Sequence, residues 1–188
     1  MTEQAEGPSE ETGAVLSFWF EELGPEEWFS DDPGVEETIR ERFTDLYHRV
    51  ADGLAGEWEK SIQGALAAVL VLHQFPRRLF PEDPRAFATD DRALAIARQA
   101  LDRGFQTALS PLHRLFLFLP FLDSEDPEDQ ARSVELFATL DDPQLREAAE
   151  RHQAIIGRFG RFPQRNGLLG RETTEEERAF LEDPEAFF

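Results

Sequence analysis

The sequence predicts an all-α fold, and three observations carry that expectation. Apolar residues recur at helical spacing in segment after segment. Helix starts of one kind, a side-chain cap followed by proline, fall sixteen residues apart at Ser110-Pro111, Asp126-Pro127 and Asp142-Pro143. No segment alternates apolar and polar residues as a half-buried strand does.

Residues 1–11, polar and acidic, are expected as a disordered leader, and residues 12–188 as a single all-helical domain long enough to bury a sizeable core. Val15 to Phe20 opens a short helix that closes near Gly24-Pro25. Trp28-Phe29 reads as an aromatic plug at the edge of the core. Val35, Ile39, Phe43, Leu46, Tyr47 and Val50 form one face of the next helix, which Gly53 closes. Residues 54–60 read as a loop anchored by Trp58. The segment from Ile62 to Phe75 is apolar almost all round, as a helix buried between neighbours is, and Pro76 is expected to stop it. A loop over 81–88 leads to a helix from about Asp90 to Arg103, with Gly104 suited to the left-handed closing position.

The three proline-marked starts leave room for helices of roughly three turns with short connections, which make antiparallel neighbours. Two such helices fill 32 residues, close to the roughly 34-residue unit of tetratricopeptide repeats, so the expected architecture is antiparallel helical hairpins stacked as a tetratricopeptide-repeat-like superhelix. Leu145, Ala148, Ala149, His152, Ile155, Ile156 and Phe159 share one face of the last long helix. Thr174 and Glu177 form a capping box for a final short one.

Among 188 residues there are 39 acidic side chains against 18 arginines and one lysine, a net charge of −20. Such a surface repels nucleic acid and anionic lipid, so neither is expected as a partner. The absence of cysteine excludes thiol catalysis and cysteine-ligated metals. The longest apolar runs are too short to span a bilayer. The N-terminus has neither the basic nor the apolar region of a signal peptide, so a cytoplasmic location is expected.

Several motifs occur in one order: Phe18-Trp19-Phe20, Gln74-Phe75-Pro76-Arg77, Phe87-Ala88-Thr89-Asp90, Leu119-Pro120-Phe121 with Ser124-Glu125, Arg158-Phe159-Gly160-Arg161-Phe162-Pro163 with Arg165-Asn166, and Leu169-Gly170-Arg171. Together they resemble the bacterial family catalogued as domain of unknown function 924, over about residues 14–183. The resemblance implies a helical, tetratricopeptide-repeat-like fold and brings no activity, cofactor or catalytic residue with it. The chain departs from the family pattern at His73 and Arg78, where aspartate and asparagine are usual, and at Asp123 and Gln164, where histidine is usual. The exchange at positions 73 and 123 is reciprocal, which predicts that these two residues touch.

The strongest chemical signal is positive charge gathered in an acidic chain. Arg158, Arg161, Arg165 and Arg171 follow one another around a glycine- and proline-rich loop, with Phe159 and Phe162 expected to be buried beneath them. Guanidinium forks suit carboxylates and phosphates. The segment 158–171 is therefore expected as an anion-receptive wall, with Arg77 approaching it. The alternative is a structural clasp in which Asp90, Asp123, Glu125 and carbonyls fill every fork. The candidate ligand-binding set is Arg77, Arg158, Arg161, Arg165, Arg171, His73, Asp123 and Glu125, and no catalytic residue is assigned. His152 reads as a hydrogen-bonded core histidine. The histidines and carboxylates match no metal-ligand spacing, so neither metal nor cofactor is expected. Two functions fit: a binding module for a peptide or small anionic ligand, or a small-molecule hydrolase or lyase acting on an anionic substrate, with His73–Asp123 or Glu125 as acid/base groups.

Overall fold

A computed structural model describes residues 9–183. These residues form helices joined by turns, with no strand among them, and none of the helices is long and apolar enough to cross a membrane. The described residues fall into two compact units. The first holds 9–81 and 85–117; the second holds 82–84 and 118–183.

In the first unit, α1 (Glu10–Ser17) begins within the expected leader. Ser9 caps it by accepting from the Thr12 N–H at 3.3 Å, so order starts by residue 9, while 1–8 lie outside the described residues. A π-helical turn over Phe18–Glu22 carries α1 to Leu23, just before Gly24-Pro25. After the short α2 (Pro25–Trp28), Asp32 caps α3 (Pro33–Arg49) through its carboxylate, which accepts from Gly34 N–H at 2.7 Å. The five apolar residues expected on one face of α3, Val35 to Tyr47, are buried. A π turn over Val50–Leu54 ends that helix, with Gly53 at φ 135°. The segment 54–60 is not a loop: it contains α4 (Ala55–Trp58), whose Trp58 is buried. Next, α5 (Ile62–Val69) is buried from Gly64 onward. A Cβ at Gly64 would collide with the Trp58 carbonyl, so only glycine permits this approach.

Pro76 does not stop the α5 segment. A π turn over Leu70–Gln74 follows α5, and the helix continues as α6 (Phe75–Leu79) with Pro76 near its start. Proline cannot donate to the carbonyl four residues back. That carbonyl, of Leu72, accepts instead from the Thr89 hydroxyl at 2.5 Å, so the chain continues without an orphaned acceptor. Then α7 (Asp90–Asp102) closes where expected, with Gly104 in the left-handed region at φ 75°. The core of this unit is aromatic: Phe18, Phe43 and Phe75 lie 5.1 to 6.3 Å apart, and Trp19 meets Phe75 at 5.8 Å and Phe116 at 5.6 Å. Burying each such ring stabilises by roughly 1.5–3 kcal/mol. Trp28 is buried and donates to the Trp19 carbonyl at 2.7 Å, whereas Phe29 lies flat and exposed against Phe116.

The division between the units falls within α8 (Pro111–Leu122), which Ser110 caps. In the second unit, α9 (Pro127–Phe137) and α10 (Pro143–Phe159) start at the expected Asp-Pro pairs and pack on one another. Buried Gln130 donates to the carbonyls of Leu122 and Ser124 at 2.7 Å each, closing the end of α8. Of the face expected on α10, Ala149 and Ile156 are buried and the rest half-buried. Last comes α11 (Glu175–Leu181), with the expected capping box of Thr174 and Glu177.

Candidate functional site

The arginine segment begins where α10 ends. Gly160, at φ 67°, takes the left-handed position that closes a helix, and its N–H donates to the Ile156 carbonyl at 2.8 Å. The reversed chain then inserts Phe162, fully buried, with the His152 ring 5.4 Å away and the Arg165 guanidinium 4.6 Å above. Phe159 is only half-buried, contrary to expectation: its ring meets Phe180 at 5.0 Å, and the exposed Arg158 guanidinium lies over it. His152 donates from Nδ1 to the Ala148 carbonyl at 2.9 Å, the hydrogen-bonded role expected of it.

Both backbone groups of Phe162 are held by one ion pair. Its N–H donates to Glu125 Oε1 at 2.7 Å, and its carbonyl accepts from Arg171 Nη2 at 3.0 Å. Arg171 and Glu125 themselves form a two-pronged pair at 2.6 and 3.0 Å. Burial would push Glu125 up, but the hydrogen bonds from Arg171 and Phe162 and the nearby Arg171 and Arg165 charges hold it below the usual carboxylate value. Arg165 donates to the Asp123 carbonyl at 2.9 Å and lies 3.5 Å from its carboxylate.

The network continues through Asn166, 1% exposed. Its Oδ1 accepts from Arg171 Nε at 3.0 Å, which fixes the amide so that Nδ2 faces Glu177 at 3.2 Å. Glu177 takes Arg161 in two prongs, at 2.6 and 2.8 Å, and accepts from the Thr174 N–H. Arg161's hydrogen bond, then Thr174's, lower its carboxyl to about 2. Arg161 also donates to the Glu172 carbonyl at 2.8 Å. Arg158 stands apart: its Nε reaches Glu176 at 2.9 Å, its side chain is 53% exposed, and its guanidinium lies 4.7 Å from the Phe159 ring.

In the first unit, Arg77 is two-pronged on Asp90, 2.9 Å to each oxygen, and lies over Phe87. It also bonds the His73 carbonyl and sits 3.2 Å from His73 Nε2. His73 is fully buried, with Gln74 Nε2 2.7 Å from its Nδ1. Among the described residues, no three histidine, aspartate or glutamate side chains group as metal ligands would.

The profile of a family of bacterial proteins of unknown function, DUF924, matches residues 15–185. This chain belongs to that family. The DUF924 chain is also similar to a solved protein of unknown function from Agrobacterium tumefaciens, 38% identical, with a TM-score of 0.87 over 91% of this chain and 96% of that one. No curated protein matches it.

Asp90, Asp123 and Glu125, the carboxylates expected in a clasp, pair with Arg77, Arg165 and Arg171, a matching that the sequence did not specify. Asn166 and Glu177 as the joint between Arg171 and Arg161 were missed, and so was Glu176. The acidic run 175–177 was the available signal, read only as a helix start. Arg78, which stands where asparagine is usual, is buried and serves α2: it donates to the carbonyls of Glu27 at 3.1 Å and Trp28 at 2.9 Å, and to that of Ser30.

Proposed function

We propose that this DUF924 protein is a non-catalytic binding module that takes an acidic peptide or small anion on the guanidiniums of Arg158 and Arg161. The observation that carries the reading is the unequal use of the arginines. All three nitrogens of Arg171 are engaged within the fold. Arg158 engages only Nε, and neither its Nη1 and Nη2 nor Nη1 of Arg161 has a hydrogen-bond partner among the described residues. Guanidinium nitrogens with donors to spare suit carboxylate or phosphate oxygens. Arg165, Arg171, Asp123 and Glu125 then act as the clasp that holds the loop, with Arg77 and His73 as supporting residues of the first unit. The hairpin of α9 and α10 supports a tetratricopeptide-repeat-like stacking by analogy, an architecture that builds binding surfaces.

An acid/base role, as in a hydrolase or lyase, calls for a group poised near neutral pH. Glu125, one of the acid/base candidates, is instead held below the ordinary carboxylate value, which suits a clasp better than a proton-transfer group. Calorimetric titration of the full chain with orthophosphate, succinate and a glutamate-rich peptide tests the reading against Arg158→Ala. Because an exposed pair is worth about 0–1 kcal/mol, the variant should melt within a few degrees of the parent. It should bind at least one of the three about five-fold more weakly. A folded variant that binds each as well as the parent removes the anion surface.

A further inference from the structure

Resting on the binding reading above, we propose that the partner is an acidic helix with the pattern Glu-Glu-x-x-Phe, and that α11 is its stand-in, occupying the surface in cis. A helix of seven residues has no stability of its own in water, so α11 forms because the surface under it holds it. Glu177 is its only fully buried side chain. Glu176 ties it to Arg158, Glu177 to Arg161 and Asn166, and Phe180 to Phe159, with the Arg158 guanidinium 6.0 Å from the Phe180 ring.

Those contacts spell out a recognition rule. Glu176 and Phe180 are four residues apart and share a face of the helix, and Glu177 stands beside them. Two carboxylates meet two guanidiniums while one ring meets another, so the surface selects charge and an aromatic anchor together. The chain reaches α11 through 167–173, which includes Gly170 at φ 63°. A ligand on so short a tether has an effective concentration in the millimolar range, so a free helix competes only when α11 is loosened. The repulsion of a chain at −20 acts on an acidic partner at a distance, but salt at physiological strength screens it beyond about 8 Å.

The test uses the full chain carrying Glu176→Gln and Phe180→Ala, which loosens α11 and leaves Arg161 and Glu177 in place. The probe is a fluorescent peptide with the sequence of residues 172–183, read by anisotropy. Hydrogen exchange should show the α11 amides deprotected, and the double variant should bind the peptide about ten-fold tighter than the parent. Replacing both glutamates of the pattern in the peptide by glutamine should remove that gain. Overturning results are α11 amides that stay protected, equal binding to variant and parent, or a dimer formed by exchange of α11, which would give the surface to a second copy. Orthophosphate titration of the same chains separates the two readings. Phosphate binding without peptide binding removes only the helical partner; loss of both removes the anion surface.

Discussion

Glu177 occupies the third position of α11, where a capping box already calls for a carboxylate, and that local role conceals its longer reach. The same two oxygens take Arg161 and Asn166, sixteen and eleven residues away. Because its folded value, about 2, lies below its ordinary 4.5, its contribution to stability is complete above about pH 4.5 and is lost as pH falls towards 2. Glu125 shifts in the same direction. Melting curves of the parent and Glu177→Gln should therefore lie furthest apart above about pH 4.5 and converge as pH falls to about 2. Arg171→Ala would strand the Asn166 and Phe162 oxygens and strip Glu125 of its two-pronged partner. Urea unfolding should register a loss of about 2–3 kcal/mol. Lysine at that position restores the charge but not the fork, so Arg171→Lys should recover only part of it. Composition and motif order singled out the arginines. Which carboxylate each one takes depends on how the loop after Gly160 folds back, and no spacing rule contains that.

Helix starts were legible because capping chemistry is local. Ser110-Pro111, Asp126-Pro127 and Asp142-Pro143 each open a helix as expected. Asp32-Pro33 opens α3 in the same way but lies in an acidic stretch that hid it, so only the apolar face from Val35 onward was legible. The π turns were not legible, since one added residue per turn barely disturbs an apolar pattern in a segment buried all round. The turn over Leu70–Gln74 and the hydroxyl of Thr89 together explain how the helix passes Pro76. Thr89→Val keeps the shape and removes the donor to the Leu72 carbonyl. It should cost about 1 kcal/mol in denaturant unfolding, with hydrogen exchange quickened around 72–79. A Thr89→Ser variant that is no more stable than Thr89→Val would show that the carbonyl needs no partner there.

Across the whole molecule the negative charges outnumber the positive ones two to one. Several exposed pairs, Arg40–Glu37, Arg132–Glu135 and Arg146–Glu150 among them, join residues one helical turn apart, and each is worth little. Repulsion among the remaining carboxylates should therefore dominate at low ionic strength. The melting temperature should rise between about 0.01 and 1 M salt as the screening length falls from about 30 to 3 Å. A flat response would mean that the surface pairs already balance the field. Arg78 closes the end of α2 from 48 to 51 residues further along the chain. Seen from the ribosome, α2 is made well before the side chain that completes it. At about 5–20 residues per second, its last carbonyls wait on water for several seconds before Arg78 is added. The α2 turn thus acquires its closing partner only after Arg78 has been made.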